Sequence, residues 1–86
     1  MKVKLGEIRS VGIEVFNLQN QEFEISVAEY EILDEEKNII DRGIPTIDRN
    51  RIFTLFNAEE RGKYNVVFKY HIEPEVLIAN VEVEVL

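Results

Sequence analysis

The 86-residue chain has no cysteine and no tryptophan, and only two prolines, four glycines and one histidine. Without cysteine there is no disulfide scaffold, no thiolate metal site and no cysteine nucleophile. The core must hold by packing alone. Gly6, Gly12, Gly43 and Gly62 stand far apart and form no phosphate-cradling loop. Basic residues are in the minority, 10 Lys and Arg against 17 Asp and Glu, for a formal net charge of −7. No basic run is denser than Arg49 and Arg51, so nothing in the order of residues provides the face that neutralises a nucleic-acid backbone. Long apolar runs are also missing: no window approaches the roughly 20 residues needed to span a bilayer. Met1-Lys2-Val3-Lys4 starts like a signal peptide but meets Glu7, Arg9 and Glu14 before any apolar stretch. The expected partners therefore include neither nucleic acid nor membrane, and the expected place of synthesis is the cytoplasm.

What the chain has is alternation. Apolar residues make up 45% of it, enough for the core of one small domain spanning residues 1–86. Leu77, Ala79, Val81, Val83 and Val85 share one face of an extended segment, with Glu82 and Glu84 on the other. Just before it, Tyr64, Val66, Phe68, Tyr70 and Ile72 form a second row. Glu73-Pro74-Glu75 lies between them, and proline there suits a turn. This predicts a long hairpin of residues 64–72 and 76–85.

Val11, Ile13 and Val15 predict a strand near 8–16, and Asn17, Gln19, Asn20 and Gln21 a loop after it. Phe23, Ile25 and Val27 alternate in one phase and Ala28, Tyr30 and Ile32 in the other. That slip predicts a short edge segment near 23–26 and a main strand at 28–33. A polar turn at 34–38, a short strand at 38–41, a break at Arg42-Gly43 and a strand at 51–56 follow. In the last, Phe53 and Leu55 oppose Ile52 and Phe56, and the pattern leaves open which pair is buried. Asn57 to Arg61 is the strongest candidate for a helical turn, with Asn57 as cap and Gly62 as stop. Strands this short at this spacing predict a sandwich or small barrel.

The chemistry-bearing residues do not assemble into a catalytic motif. Asp34, Glu35 and Glu36, with Asp41 nearby, lack the alternate oxygen ligands and central glycine of a calcium loop. They read as a solvated turn. His71, by alternation, faces away from the buried row, and no nucleophile motif accompanies it among Ser10, Ser26, Thr46 and Thr54. No catalytic residue, cofactor or metal is expected, and the chain reads as a non-enzyme. A carbohydrate- or small-ligand-binding sandwich is the alternative; it requires an aromatic-lined hollow, for which three tyrosines and no tryptophan are a poor supply.

Two constellations point elsewhere. Val67, Val76 and Ile78 fall on the outward side of the hairpin, and Phe16 is out of phase with Val15. Clustered, Val67, Val76 and Ile78 make a surface for a protein partner or for self-association. The expected contact uses that end of the hairpin, because Glu82 and Glu84 guard the other. Pro45 marks 44–48 as an edge or irregular stretch. The other constellation is Glu60-Arg61-Gly62-Lys63-Tyr64: an acidic residue, a glycine two later and a tyrosine two beyond that. It resembles the approach to strand F of immunoglobulin-like domains, where the tyrosine hydroxyl bonds back to nearby backbone in a tyrosine corner.

Residues 28–43, AEYEILDEEKNIIDRG, followed by Thr46-Ile47-Asp48, Gly62-Lys63-Tyr64 and Pro74-Glu75, resemble small immunoglobulin-like proteins encoded by tailed phages and prophages. The resemblance covers roughly residues 23–86 and is one of pattern. Lys37 replaces the glycine usual before the turn's asparagine, and Ile44-Pro45 the usual small residues. The resemblance implies an immunoglobulin-like antiparallel β-sandwich of about seven short strands. It also implies a non-enzymatic structural or accessory part, made in the cytoplasm and incorporated in a virion head or tail, with no catalytic residues to carry across.

Overall fold

In the computed structural model, which describes residues 1–16 and 22–86, alternation becomes strand at eight places. These are β1 (Lys2–Val3), β2 (Ile8–Glu14), β3 (Val27–Leu33), β4 (Ile39–Gly43), β5 (Thr46–Asp48), β6 (Arg51–Asn57), β7 (Gly62–Ile72) and β8 (Glu75–Val85). The loop expected at Asn17, Gln19, Asn20 and Gln21 lies outside the described residues. The strands form two sheets, a five-stranded one in the order β1-β8-β7-β3-β4 and a three-stranded one in the order β2-β6-β5. The chain changes sheet between β1 and β2, β2 and β3, β4 and β5, and β6 and β7.

The hairpin β7–β8 sets the dimensions. Its strands have 11 residues each, and its register runs unbroken from Ile72↔Glu75 to Gly62↔Val85. At about 3.3 Å per residue such strands are long enough to account for most of the 40 Å long axis. Val66, Phe68 and Tyr70 from β7 and Val83 and Val85 from β8 are buried, with Tyr64, Ile72, Leu77, Ala79 and Val81 packed against them. From β3 come Ala28 and Ile32, with Tyr30 half-buried between them. The facing sheet supplies Val11 from β2 and Ile52 and Phe56 from β6. Each fully buried side chain of this kind is worth roughly 1.5–3 kcal/mol relative to exposure.

Several expectations need correction. The five-stranded sheet is mixed, because β1 pairs in parallel with the end of β8 through Lys2↔Glu84 and Val3↔Val85. Two residues carry no periodic signal, yet Val3 is fully buried. The segment near 23–26 is not a strand; Ile25 is buried there as coil, and the slip falls ahead of Val27, which already belongs to β3 and points outward. The first predicted strand stops at Glu14, before Val15 and Phe16. Asn57–Arg61 forms no helix: β6 runs through Asn57 and a bend follows. Ala58 is instead held by its backbone, donating to the Glu7 carbonyl at 2.9 Å and accepting from the Gly6 amide at 2.8 Å. In β6 the pattern left the buried face open, and Ile52 and Phe56 turn inward while Leu55 is exposed.

The turn at 34–38 shows how an acidic cluster serves the backbone. One Asp34 carboxylate oxygen accepts from the amides of Glu36 (2.9 Å) and Asn38 (2.8 Å). Glu35 reaches across and accepts from the Lys63 amide at the start of β7, 3.0 Å away. Lys37 sits at φ 65°, the left-handed conformation that side chains disfavour. This is the position where the resembled pattern has glycine. Lys37→Gly is expected to raise stability by roughly 0.5–1 kcal/mol, the left-handed penalty less glycine's own chain-entropy cost. An unchanged or lower urea midpoint would show that Lys37 is held there by contacts worth the penalty.

Candidate functional site

On the outer face of the five-stranded sheet the register lines up residues from three strands. Val76 on β8 lies across from His71 on β7, and His71 across from Val27 on β3. One step along, Ile78, Lys69 and Glu29 form the next row, then Asn80, Val67 and Glu31. The alternation that buries Tyr70, Phe68 and Val66 forces these neighbours outward. Val27 is 56% exposed, Val76 51% and Ile78 67%, while Val67 and His71 are half-buried between adjacent strands. The register thus brings Val67, Val76 and Ile78 onto one surface, and adds Val27, which its inward sequence phase had concealed. Phe16 is exposed but lies outside the eight strands and the rows of this face. Lys69 and Glu29 approach to 3.9 Å beside the patch, an exposed pair worth at most about 1 kcal/mol.

The same strand has an open edge. β8 is bordered by β7 along its whole length, but on its other side, among the described residues, only Glu84 and Val85 pair, with β1. The Met1 amino group donates to the Glu82 carbonyl at 3.1 Å, and the Glu84 amide donates to the Met1 carbonyl at 2.8 Å. Those bonds identify the even-numbered residues as the ones whose backbone groups face away from β7. The unbroken alternation extends this to Asn80, Ile78 and Val76, whose N–H and C=O groups point to an edge that no other strand borders among the described residues.

At the opposite end of the hairpin, the Tyr64 hydroxyl donates to the Glu60 carbonyl at 2.9 Å. Gly62, at φ 140°, allows the turn that brings the chain back beneath the phenol. The ring meets Phe56 edge-on, with centroids 5.3 Å apart and planes at 63°. Burial, and then the carboxylates of Glu60, Asp34 and Glu35, push the phenol above its ordinary value of 10.0. Folding therefore favours the neutral phenol. That contribution is fully present below about pH 10 and is lost as pH rises through the higher folded value. Tyr64→Phe keeps the ring contact and removes the bond, and it should cost roughly 0.5–1.5 kcal/mol at neutral pH. It should also flatten part of the alkaline fall in the denaturation midpoint. A midpoint and a pH profile identical to the parent's would mean that the ring alone matters.

A cleft of about 410 Å³ opens beside this corner, lined among others by Asp34, Asp41, Glu59, Glu60, Phe56 and Tyr64. Phe56 is buried, and the Tyr30 hydroxyl closes on the Asp41 carboxylate at 3.2 Å. The lining mixes these carboxylates with apolar groups, Ile40 and Leu55 beside the half-buried Tyr64 ring. Among the described residues no three His, Asp or Glu side chains converge as a metal-holding group. His71 lies in the apolar row between Val27 and Val76, and its carbonyl accepts from the Ser26 amide at 3.1 Å. No family model, curated protein or solved structure matches this chain.

Proposed function

We propose that the chain is an immunoglobulin-like, non-enzymatic structural or protein-interaction module, and that it serves as a head or tail component or accessory protein of a phage or prophage. The strand order supports the immunoglobulin-like reading. β2, β6 and β5 correspond to strands B, E and D of such a sandwich, and β3, β7 and β8 to C, F and G with β4 added beside C. Tyr64 bonding back to Glu60 at the entry to β7 is the contact expected of a tyrosine corner. The phage role rests on the resemblance of residues 23–86.

The observation that carries the interaction reading is the coincidence, on β8, of exposed Val76 and Ile78 with backbone groups that no strand pairs among the described residues. An exposed apolar row beside an open edge is what natural proteins blunt unless another chain uses it. The test is binding of the purified domain to the assembled native particle, compared with an Ile78→Lys variant of unchanged circular dichroism. Loss of binding in the variant is expected. Equal binding by both forms would move the interface elsewhere, and no binding by either would remove the structural-module reading.

A further inference from the structure

We infer that β8 pairs with β8 of a second copy of this chain, antiparallel and centred on Ile78, joining two five-stranded sheets into one. The inference rests on the interaction-module reading and names its partner.

The backbone sets the register. The edge groups that no strand pairs among the described residues belong to Val76, Ile78 and Asn80, as the β1 bonds at Glu82 and Glu84 establish. An antiparallel pairing with its two-fold axis at Ile78 places Ile78 opposite its own copy. Val76 then lies opposite the partner's Asn80, and Asn80 opposite the partner's Val76. In each of these pairs both residues direct N–H and C=O toward the other strand, so each pair exchanges two hydrogen bonds. The register uses every such group between Val76 and Asn80. A shift of the axis to Leu77 brings Asn80 against Pro74, which has no amide hydrogen. A shift to Ala79 drives Val76 into Glu82, where the Met1 amino group already occupies the carbonyl.

Charge is compatible with this register, which the backbone groups and Pro74 select. The domain carries −7, so a self-contact must keep carboxylates apart. With the axis at Ile78, Glu75 falls opposite Val81 and Glu82 opposite Pro74, so no glutamate of β8 faces another across the strands. On the outer face, exposed Ile78 meets its copy directly, with Val76 flanking it on each side. The two apolar rows become one stripe, screened from water at the seam. The other edges are unsuited to this. β1 is two residues long and β5 three, next to Pro45; β4 carries Asp41 and Arg42 and a register shift opposite Ile32/Leu33. β2 carries Arg9 and Glu14 and the glycine at position 12. Between Val76 and Val81, β8 has no proline, glycine, charge or bulge.

Because Ile78 faces its own copy only in this arrangement, a charge exchange tests it. Sedimentation velocity of the parent from micromolar to millimolar concentration should show reversible dimers. Ile78→Lys and Ile78→Glu should each weaken the dimer roughly tenfold or more, since like charges then meet across the axis and the apolar pair is lost. Mixing the two variants should restore dimers of one Lys and one Glu chain. Far-UV circular dichroism and urea midpoints close to the parent's confirm that both variants fold, as the exposure of this side chain leads one to expect. A parent dimer that survives both substitutions overturns the inference, as does one weakened by them but not restored by mixing. A parent that stays monomeric overturns it too; in that case Ile78-dependent binding to the native particle still supports the interaction module with a different chain on the edge.

Discussion

Phe68→Ala is expected to lose about 3–5 kcal/mol of folding stability, a large share of what a domain of this size has. Phe68 is fully buried at the middle of β7, between Tyr30 on β3 and Ala79 on β8. Neither neighbour can fill the void. Ala79 has no reach, and the Tyr30 hydroxyl is tied to Asp41 at 3.2 Å. The cavity therefore stays largely open, which places the substitution high in the range for aromatic truncations. The whole stability of a domain this size is only about 5–15 kcal/mol. Urea denaturation followed by far-UV circular dichroism measures the loss, with Leu55→Ala as the control. Leu55 is 65% exposed on the outer side of β6, and its truncation should change stability by no more than about 0.5 kcal/mol. Losses of similar size at both positions would mean that the inward and outward rows have been exchanged.

The second large effect is expected from the smallest change. Gly12 lies opposite Phe53 in the β2–β6 pair, and a Cβ at position 12 would collide with the Ile52 carbonyl oxygen. The same atom would lie 2.6 Å from Phe53 Cβ and 3.0 Å from its Cα. These are atoms of the neighbouring strand's backbone and the root of its side chain, which no rotamer change can move aside. Gly12→Ala must therefore push β2 away from β6 and loosen the face that buries Val11 and Ile52. A cost of about 3 kcal/mol is expected, at the upper end for overpacking. Gly6→Ala is the comparison. It has φ 91° but nothing within 4 Å of its added Cβ, so it pays only the left-handed backbone penalty of roughly 1–2 kcal/mol. A smaller loss at Gly12 than at Gly6 would show that β2 has room to shift without cost.

Alternation is a local property, and what depends on it was legible in the residues themselves. The inward rows of Tyr64 to Ile72 and of Leu77 to Val85 follow from side chains pointing to opposite faces at successive positions. So do the hairpin joining them, the outward placement of Val67, Val76 and Ile78, and the all-β class. The turn at 34–38 and the stop at Glu73-Pro74 follow from equally local preferences of Asp, Asn and Pro.

What tertiary structure decided involves residues distant in sequence. Nothing near Val3 announces that it will be buried beside Val85, because two residues have no period and parallel pairing needs the whole chain in place. The Asn57 segment has helix-start chemistry, but β6 and the Gly6–Glu7 backbone claim it first. Val27 has the spacing of Phe23 and Ile25, yet its pairing with His71 turns it outward. The choice between Ile52 with Phe56 and Phe53 with Leu55 depends on which side the facing sheet lies. The need for glycine at position 12 arises only when the backbone of β6 arrives against it. The open edge of β8 is likewise a relation between strands. The residues show that Val76 to Val81 lacks edge protection, but only the sheet order leaves β1 too short to cover it.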